Sequence, residues 1–135
     1  MKVYQTKEKL MPGTSYGDVY PAVFGIYKRL KKKSKRRPYI RSAYFGKQKI
    51  FLDYFWEHLH QKNSRDRVRR LKFYLCALDL IKNSKHNPYT LDNVNRRSVM
   101  LHRFYGITKE GSEFSVQIMT DKRSGKKYLI SVFPK

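Results

Sequence analysis

The spacing of the hydrophobic residues changes at Ser98, and this change constrains the fold more than any other feature of the chain. Before Ser98 apolar residues recur at the spacing of an α-helix, and after it they alternate with polar residues as in a β-strand. Three strand-like runs follow, SVMLHRFYG, EFSVQIM and KYLISVFP. Their connections, Lys109-Glu110-Gly111 and Arg123-Ser124-Gly125, each carry a glycine where a hairpin loop needs a positive φ. The pattern predicts an antiparallel β-meander at the C-terminus.

The sequence before the meander predicts three helices. The first is expected to begin at Val19, with Asp18 as its cap, and to end in a lysine- and arginine-rich run before Pro38. The second is expected over residues 47–62, and the third over residues 64–83 with Asn63 or Ser64 as its cap. Helices first and a sheet last predict an α+β fold, in which three N-terminal helices pack on a C-terminal three-stranded or four-stranded antiparallel β-meander.

The length of 135 residues fits a single domain. We expect one domain over residues 1–135 with four parts. These are an irregular N-terminus (1–17), a helical part (18–83) that contains a basic segment (28–41), a linker (84–97) and the sheet (98–134).

The net charge of +21, from 31 lysines and arginines against 10 acids, calls for a polyanionic partner. Nucleic acid, and RNA in particular, is the leading candidate, because neutralising phosphates releases counterions. An anionic membrane is the rival, but the basic segment 28–41 carries few apolar residues to enter a bilayer surface, so no membrane partner is expected. The residues predicted to bind nucleic acid are Lys31, Lys32, Lys33, Arg36, Arg37, Arg41, Arg67 and Arg70.

Several features indicate an ordered protein of the cytoplasm that needs no cofactor. An aromatic content of 15% is too high for a disordered basic chain, and the single Cys76 fits a reducing compartment. The N-terminus lacks the apolar core of a signal peptide. His58 and His60 would point to different faces of a helix and the acids are scattered, so we expect neither a metal site nor a cofactor.

The predicted meander has one polar face. With three-residue loops, Gln117 lies opposite Arg103 and Ser131, and Tyr105 shares that face, while His102 points toward the helices. A change of one residue in the first loop would exchange His102 and Arg103 between the faces. This face could cleave RNA, with Arg103 holding the phosphate, His102 or Tyr105 transferring protons, and Gln117 and Ser131 donating hydrogen bonds. The alternative is that these are ordinary surface residues.

The segment from Leu101 to Pro134 resembles the C-terminal sheet of the barnase–EndoU–colicin–RelE ribonucleases, in their phage- and mobile-element-borne branches. The shared pattern is a strand with His and Arg, a glycine turn, an FxVQI strand, a basic glycine turn and a final YLISVFP strand. The resemblance implies an endoribonuclease toxin or effector that cleaves RNA without a metal and leaves a 2′,3′-cyclic phosphate. The matched positions are His102, Arg103, Gln117 and Ser131.

The resemblance has one departure and one consequence for partners. EndoU-like members rely on two histidines, whereas the predicted sheet of this chain holds one, so its catalysis would depend on arginine, lysine and tyrosine. A toxin of this kind would predict an acidic antitoxin or inhibitor as a protein partner. From a different functional class, the same basic surface could belong to a module that binds RNA or DNA without cleaving it.

Two tripeptides of the chain resemble part of a second nuclease motif. Gly25-Ile26-Tyr27 and Tyr39-Ile40-Arg41 resemble the opening of a GIY-YIG nuclease, which carries these tripeptides on neighbouring strands. Arg41 stands where that family has glycine, and the apolar residues around Gly25 have helical spacing, so coincidence is the favoured interpretation.

Overall fold

The structure is a computed structural model that describes residues 2–34, 36–92 and 96–135. Within these residues it contains four helices and seven strands. In chain order they are β1 (Tyr4–Gln5), α1 (Tyr16–Lys33), β2 (Tyr39–Arg41), β3 (Lys49–Phe51), α2 (Asp53–Leu59), α3 (Ser64–Lys72), α4 (Tyr74–Asn83), β4 (Tyr89–Asp92), β5 (Val99–Ile107), β6 (Glu113–Asp121) and β7 (Lys127–Pro134).

All seven strands belong to one mixed sheet. Six of them follow the order β1-β5-β6-β7-β3-β2, and β4 lies off this path and pairs with β5. The long strands β5, β6 and β7 are antiparallel neighbours and form its centre. β1 pairs in parallel with the end of β5, and β4 pairs antiparallel with the start of the same strand. On the other side, β3 pairs in parallel with the start of β7, and β2 completes a hairpin with β3.

The prediction of three helices on a three- or four-stranded meander is therefore wrong, because the structure has four helices and a seven-stranded mixed sheet. The meander exists but forms only the centre of that sheet. The additional strands β1, β2, β3 and β4 are two to four residues long. Segments this short carry too little periodicity to be recognised, and pairing with the edges of longer strands decides their structure.

The predicted second helix starts later than expected. Its first residues form β3, and only Asp53–Leu59 is helical. Gly46 and Lys47, with φ of 63° and 71°, make the turn between β2 and β3. Ile50 then pairs with Ile40 on one side and Lys127 on the other. Ile50 and Phe51, which were predicted to be helical, thus belong to a strand, and Ile50 is buried in it.

The predicted third helix is interrupted at Phe73 and forms α3 and α4. The side chain of Asn63 accepts the Asp66 N–H at 2.9 Å, so Asn63 is the cap and Ser64, the other predicted candidate, is the first residue of the helix. At the break, the Lys72 carbonyl accepts the Met11 N–H at 2.9 Å, and the N-terminal segment crosses the two helices there. Nothing in the sequence around Phe73 predicts this contact, because Met11 lies far away in the chain.

The first helix starts earlier than predicted and includes most of the basic run. Ser15 caps it, accepting the Asp18 N–H at 3.2 Å, so Asp18 lies in the first turn and is not the cap. Gly25-Ile26-Tyr27 lies inside this helix, which excludes the strand that the GIY-YIG interpretation requires. Its aromatic side chains pack around Trp56 of α2, with Tyr27 at 5.2 Å between ring centroids.

One face of the sheet is buried against the helices. Its central members are Phe104, Val116, Ile118, Leu129 and Val132, all almost inaccessible to solvent. The other face carries polar and aromatic side chains and remains open over β5 and β6. None of the described helices combines the length and the apolar character that a bilayer-spanning segment needs.

Candidate functional site

A row of side chains crosses the open face of the sheet. Arg103 on β5 lies opposite Gln117 on β6, which lies opposite Ser131 on β7, and this register agrees with the sequence prediction. Arg103 Nη2 donates to Gln117 Oε1 at 3.1 Å. Tyr105 faces the same side beside Ser115, also as predicted. β4 extends the row, because Tyr89 lies opposite Arg103 and is 50% exposed.

A β-bulge brings Ser131 into this row. Ile118 pairs with Leu129 and Gln117 pairs with Ser131, which leaves Ile130 as an extra residue on β7. The loop before β7 is one residue longer than predicted, since Asp121 pairs with Lys126. Without the bulge, Ile130 would oppose Gln117 and Ser131 would turn into the core. The longer loop and the bulge compensate each other, so the predicted face of Ser131 is correct although the predicted loop is not.

A second arginine reaches the row from the helical part. Arg70 on α3 donates from Nη1 to Ser131 Oγ at 2.6 Å and to the Val132 carbonyl at 3.2 Å. Its Nε contacts Asp66 at 3.2 Å, and only 11% of its side chain is exposed. The guanidinium carbons of Arg70 and Arg103 lie 4.8 and 5.3 Å from the centroid of the Phe133 ring. Two cations from distant parts of the chain therefore converge on one ring.

One side of α2 forms the wall of a groove beside this row. Tyr54, Glu57 and His58 share one face of α2 because they are three and four residues apart. The groove has a volume of about 460 Å³ and includes Arg96, Leu101, Gln117, Met119 and Ile130 in its lining. His58 also lines a narrow crevice with Lys62, Arg70 and Ser131. His58 is thus the histidine next to the polar row.

His102, the histidine predicted to be catalytic, faces the buried side of the sheet. Its Nδ1 lies 3.0 Å from Thr90 Oγ1 and its Nε2 lies 2.7 Å from Thr120 Oγ1. Phe45 covers the ring at 5.1 Å between centroids. Burial, together with the nearby charge of Lys127, lowers the pKa of His102. A neutral imidazole held by two threonines serves to position the strands, and it does not reach the row on the open face.

The predicted nucleic-acid-binding cations divide into two groups. Those at the surface are Lys31, Lys32 and Lys33 at the end of α1, Arg36 after it, and Arg41 at the end of β2. The others hold the protein together. Arg37 makes an ion pair with Asp53 at 2.8 Å, and Arg67 donates to the carbonyls of Lys62 and His60 at 2.7 and 2.8 Å. Arg70 also belongs to this second group, since it is largely buried and joins α3 to β7, but its contact lies at the row.

The described residues contain no cluster of three or more His, Cys, Asp or Glu arranged to hold a metal ion. Cys76 is buried in α4, and burial raises the pKa of its thiol to about 11. A thiol with so high a pKa is protonated at neutral pH and is a poor nucleophile.

His58 and Tyr89 were not predicted as members of the site, and Arg70 was predicted to bind nucleic acid but not to lie at the polar row. The spacing of Tyr54, Glu57 and His58 could have identified a common helix face, but not the sheet that it meets. Tyr89 was assigned to a linker because β4 is too short to be recognised. Arg70 was predicted to face nucleic acid directly, and only the packing of α3 against β7 reveals its contact with Ser131.

No protein-family model, no curated protein and no solved structure matches the chain.

Proposed function

We propose that the protein is an endoribonuclease that cleaves RNA on the open face of its sheet without a metal. The observation that carries the proposal is the convergence of Arg70 and Arg103 on Phe133. Arg70 is paired with Asp66 at 3.2 Å, whereas Arg103 makes no ion pair within the described residues, so the row keeps a positive charge that an anion can neutralise. The neutral donors Gln117 and Ser131 lie in the same row, so the anion best suited to it is a phosphodiester.

The reaction assigned to this row is transfer of the phosphoryl group to the neighbouring ribose hydroxyl. The 2′-oxygen forms a bond to phosphorus, the bond from phosphorus to the 5′-oxygen breaks, and a 2′,3′-cyclic phosphate results. One group accepts the 2′-hydroxyl proton and another protonates the leaving 5′-oxygen. His58 and Glu57, which line the adjoining groove, are assigned to these proton transfers. Arg103 and Arg70 stabilise the charge that develops on the phosphate.

A module that binds RNA without cleaving it is the second candidate function. Tyr89 is half exposed on the row, and two guanidinium groups lie within 5.3 Å of the Phe133 ring centroid. Aromatic rings and arginines on an open sheet are a surface on which unpaired bases can stack. Such a module needs no group for proton transfer, so a substitution at His58 distinguishes the two functions.

The test is incubation of the purified protein with labelled RNA in excess EDTA, with analysis of the product ends. His58→Gln is compared with His60→Gln, which changes an exposed histidine two residues away. We expect cleavage to cyclic-phosphate ends by the wild type and by His60→Gln, and a loss of about 100-fold or more in His58→Gln. Arg103→Ala should lose a similar factor, because it removes a charge that stabilises the transition state.

RNA binding by the same variants distinguishes the two functions. An enzyme should retain RNA affinity in His58→Gln while it loses cleavage. If the wild type binds RNA and leaves it intact, the cleavage proposal fails and the binding module takes its place. Cleavage that depends equally on His58 and His60 would also contradict the assignment of the site.

The compartment and the protein partner are part of the same proposal. A buried free thiol at Cys76 is compatible with the reducing cytoplasm, where RNA substrates are present. A cationic site of this kind would be blocked best by an acidic inhibitor protein, which is the partner that an RNA-cleaving toxin requires.

A further inference from the structure

A second concave site lies at the β2–β3 side of the sheet. It has a volume of about 580 Å³, and its lining consists of Lys33, Arg36, Arg37, Tyr39, Lys49, Phe51 and Lys126. Five of these seven residues are cations and two are aromatic. They come from the end of α1, from β2 and β3, and from the loop before β7. We call it the basic pocket.

No carboxylate is among the residues that line the basic pocket. Arg37 is already neutralised, because its Nε contacts Asp53 Oδ2 at 2.8 Å. Lys33, Arg36, Lys49 and Lys126 are exposed, and within the described residues none of them makes an ion pair. Cations that gather in one concavity without acids create a positive potential that favours an anionic ligand.

The ring of Tyr39 lies in this positive field. Lys49 Nζ is 4.6 Å from the ring centroid, and the guanidinium carbon of Arg41 is 5.5 Å from it. Phe51 meets the same ring edge to face at 6.3 Å. A half-buried ring with cations close to it can stack with a base whose phosphates contact the neighbouring lysines.

Arg37 connects the basic pocket to the groove at α2. Its guanidinium carbon lies 4.9, 5.0 and 4.8 Å from the ring centroids of Phe51, Tyr54 and Tyr128. Phe51 lines the basic pocket and Tyr54 lines the groove, so the guanidinium of Arg37 contacts the lining of both sites. Tyr54 is stacked at 4.5 Å on the buried Tyr128, so the boundary between the two sites is aromatic.

We infer that the basic pocket is a subsite for single-stranded RNA, which holds nucleotides adjacent to those on the open sheet face. The strand would cross the aromatic boundary at Tyr54, stack a base on Tyr39 and bring its phosphates to Lys49 and Lys126. Single-stranded RNA is favoured over a duplex, because a concave site with a stacking ring requires an unpaired base. This inference rests on the proposed RNA specificity of the sheet face, but not on its catalysis.

The test measures binding of fluorescein-labelled 2′-O-methyl RNA to the full chain by fluorescence anisotropy, since this RNA lacks the hydroxyl that cleavage requires. Single strands of about four and about twelve nucleotides are compared, which brackets the size of a compact site and of an extended one. The variant Lys49→Ala/Lys126→Ala removes two cations of the basic pocket. Its control, Lys85→Ala/Lys109→Ala, removes two exposed cations elsewhere on the surface.

For the longer strand we expect the pocket variant to bind more weakly than the control variant. The slope of log affinity against log salt should fall by about 1.4, since each phosphate contact on a single strand contributes about 0.7. The shorter strand, which the open face alone can hold, should bind both variants equally. Tyr39→Leu should weaken the longer strand by about five-fold or more, whereas Tyr39→Phe, which keeps the ring, should retain wild-type affinity.

Three results would overturn the inference. The first is an equal loss of affinity in the two double variants, which would mean that only total charge matters. The second is a duplex that depends on Lys49 and Lys126 as strongly as the single strand does. The third is a pocket variant that keeps its RNA affinity but no longer binds vesicles of phosphatidylcholine and phosphatidylserine, which would assign the pocket to an anionic membrane.

Failure of this inference is distinguishable from failure of the proposed function. If the protein cleaves RNA and the pocket variant behaves as its control does, the subsite is wrong and the nuclease stands. If RNA binding depends on the basic pocket but the wild type never cleaves, the subsite stands and the catalytic assignment is wrong.

Discussion

At the scale of single residues, His102 shows how burial changes the role of a titratable group. Its pKa is lowered, so the folded protein disfavours the charged imidazole that the unfolded chain forms below its ordinary pKa of 6.5. The unfolded state therefore binds more protons in that range, and stability should fall as the pH drops from about 7 toward the lowered pKa of the folded state.

The variant His102→Gln should remove part of this acid-side loss of stability. We expect the free energy of unfolding, measured by urea denaturation at several pH values from about 7 to 5, to vary less steeply with pH than in the wild type. His60→Gln, in which the changed side chain is exposed, is the control variant. A pH dependence of His102→Gln that matches the wild type would contradict the burial of a neutral imidazole.

Two glycines provide a matched pair for the packing of the core. A Cβ on Gly106 of β5 would collide with the ring of Phe114, 2.8 Å from Cε1, and would approach Leu80 Cδ1 at 3.0 Å. A Cβ on Gly25 in α1 would meet nothing within 4 Å. Gly106→Ala should therefore destabilise the protein by about 1–3 kcal/mol through overpacking. Gly25→Ala should stabilise it by up to about 1 kcal/mol, since alanine is the better helix former. Urea denaturation of both variants gives the signs, and a neutral Gly106→Ala would refute the close contact.

At the scale of elements, Asp79 fastens the N-terminal segment to α4. Its carboxylate accepts the Thr6 hydroxyl at 2.6 Å, the Lys7 N–H at 2.9 Å and the Tyr4 hydroxyl at 3.1 Å. These hydrogen bonds outweigh burial and lower the pKa of Asp79, while burial and the nearby carboxylate raise the pKa of Tyr4 to about 12. The two-residue strand β1 depends on this carboxylate for its position.

Replacement of this carboxylate tests the attachment of β1. Asn83 Nδ2 also donates to this carboxylate, at 2.7 Å. Asp79→Asn therefore puts an amide donor among four donors, and we expect a loss of about 1–3 kcal/mol in the free energy of unfolding at neutral pH. The difference should vanish in acid, because a lowered carboxyl pKa contributes stability above its ordinary value of 3.8 that is lost as the pH falls. Asp92→Asn, which breaks a surface ion pair with Lys122, should cost at most about 1 kcal/mol. If the amide N–H of Thr6, which donates to Ile107 in the wild type, exchanges no faster in Asp79→Asn, the assigned role is wrong.

The elements also differ in how far their own sequence determines them. β5, β6 and β7 are eight or nine residues long, and the alternation of Phe114, Val116 and Ile118 along β6 made the register of β5 with β6 predictable. The edge strands and the interruption at Phe73 were not, because pairing partners and the Met11 contact lie far away in sequence. The bulge at Ile130 belongs to the same class, since it compensates a loop whose length only the folded hairpin defines.

At the scale of the whole molecule, the net charge of +21 opposes the compact state. We expect the melting temperature to rise between about 0.05 and 0.5 M NaCl, since salt screens repulsion between distant charges. In Lys85→Glu/Lys109→Glu, which lowers the net charge at two exposed positions, the rise should be smaller. A melting temperature that salt leaves unchanged would mean that the cations are too far apart to repel one another appreciably.

The sequence by itself determined the features that depend on composition and local spacing. These are the net charge of +21, the central meander, and the face shared by Arg103, Tyr105, Gln117 and Ser131. Tertiary structure decided what covers that face and what extends it. Arg70 and His58 lie at the row because α2 and α3 pack against β7. Arg37 packs against Tyr128 of β7 for the same kind of reason, since the segment that carries it lies next to that strand. Periodicity specifies which side of an element is buried, but the partner that buries it is fixed by contacts between residues far apart in the chain.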